Sequence, residues 1–211
     1  MRRNFVPLLG VAVAICAVSH AGAAILYDNL GSSPNLYDGT RGWSVSGPLS
    51  GLGVYVETAQ TFTPSTSAIF SELDIALTSY SGTNSVIVEL LNDSGGLPGG
   101  VLQSWSITGL PAIDSCCTLQ TLMATGSTPL VSGTPYWVAV LPGAGDTLAE
   151  WNEVNDTPLG TVYQYANGAW NGYVGLRLGA YEVQGTAGPE PAMLLPCAVV
   201  LLGLFARLRK R

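Results

Sequence analysis

Apolar and polar side chains alternate along much of the chain. Ile69, Leu73, Ile75 and Leu77 occupy odd positions, with Glu72, Asp74, Ala76 and Thr78 between them, and Val86, Val88 and Leu90 alternate with Ile87, Glu89 and Leu91. A period of two places one set of side chains on each face of a strand. Tyr136 to Val140 is a short apolar run without helical spacing, and Val162, Tyr163 and Tyr165 favour strands. The pattern predicts strands near 25–30, 54–62, 68–79, 84–92, 100–107, 118–124, 135–141, 147–152, 160–166, 174–179 and 180–184. Turn residues separate them. Asn92 to Gly100 holds four glycines and a proline and predicts a loop, Ser81 to Asn84 predicts a turn, and Asn167-Gly168 suits a tight hairpin. Gly31 to Gly53 is rich in Gly, Ser and Pro and predicts a loop covering one end of the domain. Many short strands and no sustained helical period predict an all-β fold: a two-sheet β-sandwich, jelly-roll-like, over residues 24–186.

The ends of the chain follow a different pattern. Arg2 and Arg3 precede an apolar stretch from Phe5 to Val18, and Ala21-Gly22-Ala23 has the small-x-small form of a cleavage site. This predicts a helical secretory signal over 1–23, cut after Ala23. Cys16 follows Ile15, not the small residue a lipoprotein signal needs, and it leaves with the signal, as does His20. At the other end, Pro189-Glu190-Pro191 leads into an apolar run from Ala192 to Ala206, followed by Arg207, Leu208, Arg209, Lys210 and Arg211. A fifteen-residue helix reaches roughly 22 Å, against about 30 Å of bilayer hydrocarbon. Snorkelling by Arg207 extends that reach, predicting a short membrane helix over about 191–207 with its basic tail in the cytoplasm.

The tripartite arrangement of Pro189-Glu190-Pro191, apolar helix and Arg-rich terminus resembles the PEP-CTERM sorting signal of exported bacterial proteins, here over 188–211. The resemblance implies an exosortase-type processing enzyme that cuts near the Pro-Glu-Pro. It also implies an inner-membrane-anchored precursor, a final place at the cell surface or in the extracellular matrix, and association with exopolysaccharide or biofilm. A second resemblance covers most of 24–184. Leu26-Tyr27-Asp28-Asn29-Leu30, Gln60-Thr61-Phe62, Gly95-Gly96-Leu97-Pro98-Gly99, the Leu130–Trp137 stretch, Glu150-Trp151-Asn152 and Gly168-Ala169-Trp170 are similar to the choice-of-anchor domains of bacterial surface proteins, type R in particular. That family brings no catalytic residues with it.

Charge narrows the chemistry. Between Ala24 and Gly188 thirteen acids face only Arg41 and Arg177, a formal net charge of −11, with no Lys and no His. A Ser-His-Asp triad, a lysine Schiff base, a phosphate-binding loop and a Cys/His zinc site are therefore excluded from this region. The sign is also wrong for nucleic acid. Carboxylates, cysteines and aromatics remain. Asp146, Glu150, Glu153 and Asp156 cluster within eleven residues, and two readings fit them: oxygen ligands for calcium, or solvated acids that keep a secreted protein soluble. Nothing selects one carboxylate pair for glycoside hydrolysis, so no catalytic residue is assigned.

Cys116 and Cys117 form a vicinal disulfide, stay as thiols, or bridge to another chain. All three fit an oxidising route, although adjacent Cα atoms lie closer than a disulfide prefers. Trp137 and Trp105 read as core. Trp151 and Trp170, with Asn152 nearby, lie near predicted loops and are the candidates for stacking on a ligand. The expectation is a non-enzymatic exported surface or matrix protein that associates with polysaccharide. The alternatives are a calcium-dependent lectin-like module and a purely structural coat protein without a ligand.

Overall fold

The computed structural model describes residues 22–155 and 158–186. Among the described residues all regular structure is strand, and no helix is long and apolar enough to cross a membrane. The two expected flanking helices lie outside the described residues. In chain order the strands are β1 (Ala23–Asp28), β2 (Gly42–Ser46), β3 (Glu57–Phe62), β4 (Ala68–Ile75), β5 (Leu77–Ser81), β6 (Ser85–Asp93) and β7 (Pro98–Thr108). They continue as β8 (Gln120–Met123), β9 (Pro129–Leu130), β10 (Tyr136–Pro142), β11 (Leu148–Asn152), β12 (Leu159–Ala166), β13 (Ala169–Arg177) and β14 (Tyr181–Thr186).

The strands form three antiparallel sheets where two are expected. One has six strands in the order β13-β12-β3-β10-β6-β7, one runs β1-β14-β4-β8 with β9 also on β4, and the smallest is β2-β11-β5. The second and third meet at a backbone knot. Ala76 N–H donates to Ala180 C=O (3.1 Å), Asn152 N–H to Ala76 C=O (2.9 Å) and Ala180 N–H to Asn152 C=O (2.8 Å). Ala76 thereby leaves both ladders, which divides the single strand expected over 68–79 into β4 and β5. One main core draws on all three sheets, through Val88 and Val138 from the six strands, Leu73 and Val183 from β4 and β14, and Val45 and Ala149 from β2 and β11.

Several expectations change for local reasons. The parity of β4 switches at Ser71. Gln184 pairs with Glu72 but Gly185 pairs with Phe70, and this bulge buries Ala68 and Phe70 and turns Ile69 partly outward. β2 lies inside the expected Gly/Ser/Pro-rich loop, its Trp43-Ser44-Val45-Ser46 alternation being too short to stand out. The expected loop over 92–100 shrinks to 94–97, because Asp93 still pairs with Pro98. β13 begins five residues earlier than 174. Asn167 (φ 53°) and Gly168 (φ 82°) both take the left-handed conformation of a two-residue hairpin turn, so pairing resumes at once, Ala166 against Ala169.

Candidate functional site

The outer face of the six-stranded sheet carries a second, smaller apolar cluster. Trp137 and Ala139 on β10 alternate with Tyr136, Val138 and Val140, which enter the main core. Trp137 is only 2% exposed, yet it lies on the side of the sheet away from that core. The register sets its neighbours. Gly172, Tyr163, Ala59, Ala139, Glu89 and Ser104 form one row across six strands. Trp170, Tyr165 and Glu57 form the next row, and Thr61, Trp137 and Leu91 lie on the other side. Ala59 and Ala139 are buried although they point outward, because larger rings lie over them.

Those rings form a platform. Trp137 and Tyr163 meet edge to face at 5.0 Å and 85°, and Tyr165 and Trp170 meet at 5.5 Å and 62°. Gly172 has no side chain to lift Tyr163: a Cβ there would stand 3.1 Å from its ring. The Trp137 indole N–H donates to Asp93 Oδ1 (2.8 Å), and Gly96 N–H donates to Asp93 Oδ2 (3.0 Å). The Gly96 bond first, and the Trp137 bond second, hold the Asp93 carboxyl below the usual range. Tyr163, Tyr165 and Trp170 keep part of their surface in solvent.

Two carboxylates flank the rings. Glu57 accepts a 2.8 Å hydrogen bond from the hydroxyl of exposed Tyr55. Burial raises the Glu57 pKa, and the Tyr55 bond opposes that. Burial also raises the Glu89 pKa, helped by the charge of Glu57 and opposed by Ser104. No Lys or Arg shares these rows. The face thus offers flat rings with oxygen acceptors at their margins.

Of the expected ligand-stacking residues, this face holds Trp170 but not Trp151 or Asn152. Trp151 is 0% exposed and packs edge-on against Tyr181 at 5.4 Å, with its indole N–H on Ala180 C=O (3.2 Å). Gly179 lies against the same indole, where a Cβ would be 2.6 Å away. Asn152 is equally buried, its amide donating to Asp38 C=O (3.2 Å). Neither is a surface residue: pairing of β11 between β2 and β5 puts Trp151 in the core, and the segment from Asp38 to Arg41 covers Asn152 on the opposite face. Trp105 lies at the core margin, 5.8 Å from Phe70.

Of the four expected calcium acids, Asp146 and Glu153 lie beyond opposite ends of β11. Asp146 lies before β11, where Thr83 donates to it, and Glu153 lies beyond the other end, about 17 Å of strand away. Asp156 is outside the described residues, as are Ala21, Pro189, Glu190, Pro191, Arg207, Arg209, Lys210 and Arg211. Ala23 opens β1 opposite Thr186. Among the described residues no three or more His, Cys, Asp or Glu side chains form a metal-holding group. The charges of Glu153 and then Asp114 bear on Glu150, those of Arg177, Arg41 and Asp38 bear on Glu153, and Arg41 (3.9 Å) and Arg177 (3.7 Å) both reach Asp38.

Cys116 and Cys117 are placed as a vicinal disulfide against the Tyr37 carbonyl, their sulfurs 3.3 and 3.7 Å from its oxygen. Tyr55, Glu57, Tyr163, Tyr165 and Glu89 carry no mark in the alternation that they share one face with Trp170. The two-residue spacing of Tyr163 and Tyr165 was the available signal, but the strands beside β12 could not be read from it. Comparison with family models, curated proteins and solved structures finds no match.

Proposed function

We propose that this chain is a non-enzymatic exported protein of the cell surface or extracellular matrix that holds polysaccharide against the outer face of the six-stranded sheet. The observation that carries this reading is the platform of Tyr163, Tyr165 and Trp170 with Glu57 and Glu89 at its margins. Aromatic faces stack on the C–H surfaces of sugar rings, and carboxylates accept hydrogen bonds from hydroxyls. The excess of acids over the two arginines between Ala24 and Gly188 favours neutral glycans and repels acidic ones. The signal-like 1–23 segment and the Pro189-Glu190-Pro191 segment with its basic tail support export, an inner-membrane precursor and an exosortase-type partner.

The arrangement behind this role is a jelly-roll-like sandwich, with the six-stranded sheet as one layer and the two smaller sheets as the other. Its support is the single core shared by all three sheets. Co-sedimentation of the protein with the exopolysaccharide of its source organism tests the function. Retention in the pellet is the expected result, and a protein left wholly in the supernatant counts against it.

A further inference from the structure

The outer face of the small sheet β2-β11-β5 is roofed. Ser44, Glu150 and Thr78 form one row across it, and Asn152 follows Glu150 on the same face of β11. The roof begins beside β5, where Ala112 bridges Ser79, and reaches the segment around Gly39, whose carbonyl accepts Asp114 N–H at 3.0 Å. The Tyr37 hydroxyl fastens it by accepting Thr118 N–H (2.9 Å) beside the Cys116–Cys117 turn. Thr78 points away from the main core, yet the roof leaves it 0% exposed, and Asn152 is also 0% exposed.

Three oxygens on this covered face have no hydrogen-bond partner: Glu150 Oε2, Asn152 Oδ1 and Thr78 Oγ1. The Asn152 amide cannot be reversed to satisfy its oxygen, because its nitrogen faces two carbonyls, Asp38 (3.2 Å) and Arg41 (3.5 Å). Glu150 and Thr78 are directly paired across the ladder, about 5 Å apart at Cα, and Asn152 is about 7 Å along the strand from Glu150. Side chains at those spacings can meet one ion.

We propose that these oxygens form a calcium site, with Glu150 Oε2, Asn152 Oδ1 and Thr78 Oγ1 as protein ligands and Asp114 supplying a second negative charge from the roof. The donors are carboxylate, amide and hydroxyl oxygens, the hard set that calcium takes in flexible geometry at about 2.3–2.6 Å. A single water could accept from the Thr78 hydroxyl and donate to Glu150 Oε2 and Asn152 Oδ1, but it would leave the Glu150 charge uncompensated. Burial first, then the charges of Glu153 and Asp114, push the Glu150 pKa up. A divalent cation inverts that balance.

Thermal unfolding of the full chain in calcium, in magnesium and in chelator tests the site. Calcium at a hundred times its Kd raises Tm by about 5–10 °C over chelator. Magnesium at the same concentration gives less than half that shift. Glu150→Gln abolishes the calcium shift while its Tm in chelator is no lower than that of the native chain, since the new amide N–H groups meet the free oxygens. Asp146→Asn, at the far end of β11, keeps the full calcium shift. A native chain that does not respond to calcium, a Glu150→Gln chain that still does, or an equal response to magnesium overturns the proposal.

Discussion

Replacing Trp151 by alanine separates the core role of this indole from the surface role its sequence neighbourhood suggests. The side chain is fully buried, packs on Tyr181 at 5.4 Å and donates to Ala180 C=O. A buried tryptophan removes roughly 200 Å² from water, or about 5 kcal/mol at 25 cal/mol per Å². Alanine substitutions of buried Phe or Trp cost about 3–5 kcal/mol. Ala180 C=O keeps a second donor, Ala76 N–H at 3.1 Å, so no carbonyl is orphaned and the loss is mainly one of packing. For a chain of this size each kcal/mol lowers Tm by about 2–4 °C, giving a fall of about 6–20 °C. Urea and thermal unfolding followed by far-UV circular dichroism read the change directly. A Trp151→Ala chain that keeps its stability within about 1 kcal/mol while losing polysaccharide binding would refute the burial argument.

Three further predictions follow from other parts of the molecule. Gly185→Ala drives a Cβ to 2.7 Å from Leu26, 2.8 Å from Ala68 and 2.9 Å from the Ile69 carbonyl, so it costs about 1–3 kcal/mol in urea unfolding; an unchanged midpoint would show that the β4 bulge is slack. Gly168→Ala places a Cβ at φ 82° in the β12–β13 turn and lowers stability by about 1 kcal/mol, again by urea unfolding, with no loss counting against the turn assignment. In chelator, Glu57, Glu89, Glu150, Glu153 and Glu182 have folded pKa values raised chiefly by burial above the 4.5 of the unfolded chain. Such groups bind more protons folded than unfolded, so stability grows as pH falls from about 7 toward 4.5 and is lost as pH rises through the folded values. Below that window Asp93 and Asp146, whose carboxyls are held low, reverse the trend. A urea midpoint that rises steadily from pH 5 to pH 8 would contradict the sign.

Strand positions were legible wherever alternation ran long enough to show which side chains share a face. β6 and β10 fall within one residue of their predicted spans, and the Asn167-Gly168 turn is the hairpin its two residues suit. Partners were not legible. Trp151 and Trp170 look alike in sequence, each with an asparagine next to it, but β11 is the middle strand of its sheet and β13 is an edge strand. That difference depends on the strands of Trp43 and Leu77, which pair with Trp151 from far back in the chain. The acids show the same limit. Asp146 and Glu150 are close in sequence, but Asp146 lies before β11 and Glu150 at its middle, whereas Asp114 reaches Glu150 only because the 112–118 segment folds over the sheet. Ile69 turned outward because one bulge residue, invisible in the alternation, shifted the phase.

If polysaccharide is held on the outer face of the six-stranded sheet, a Tyr163→Ala, Trp170→Ala double variant loses it. Each ring is partly exposed, so truncation removes stacking worth about 1–2 kcal/mol per ring and leaves the main core intact. The predicted result is a fall of about thirtyfold or more in affinity for the exopolysaccharide, with the unfolding transition still cooperative. Unchanged affinity in a folded double variant would contradict the account and move the binding surface elsewhere.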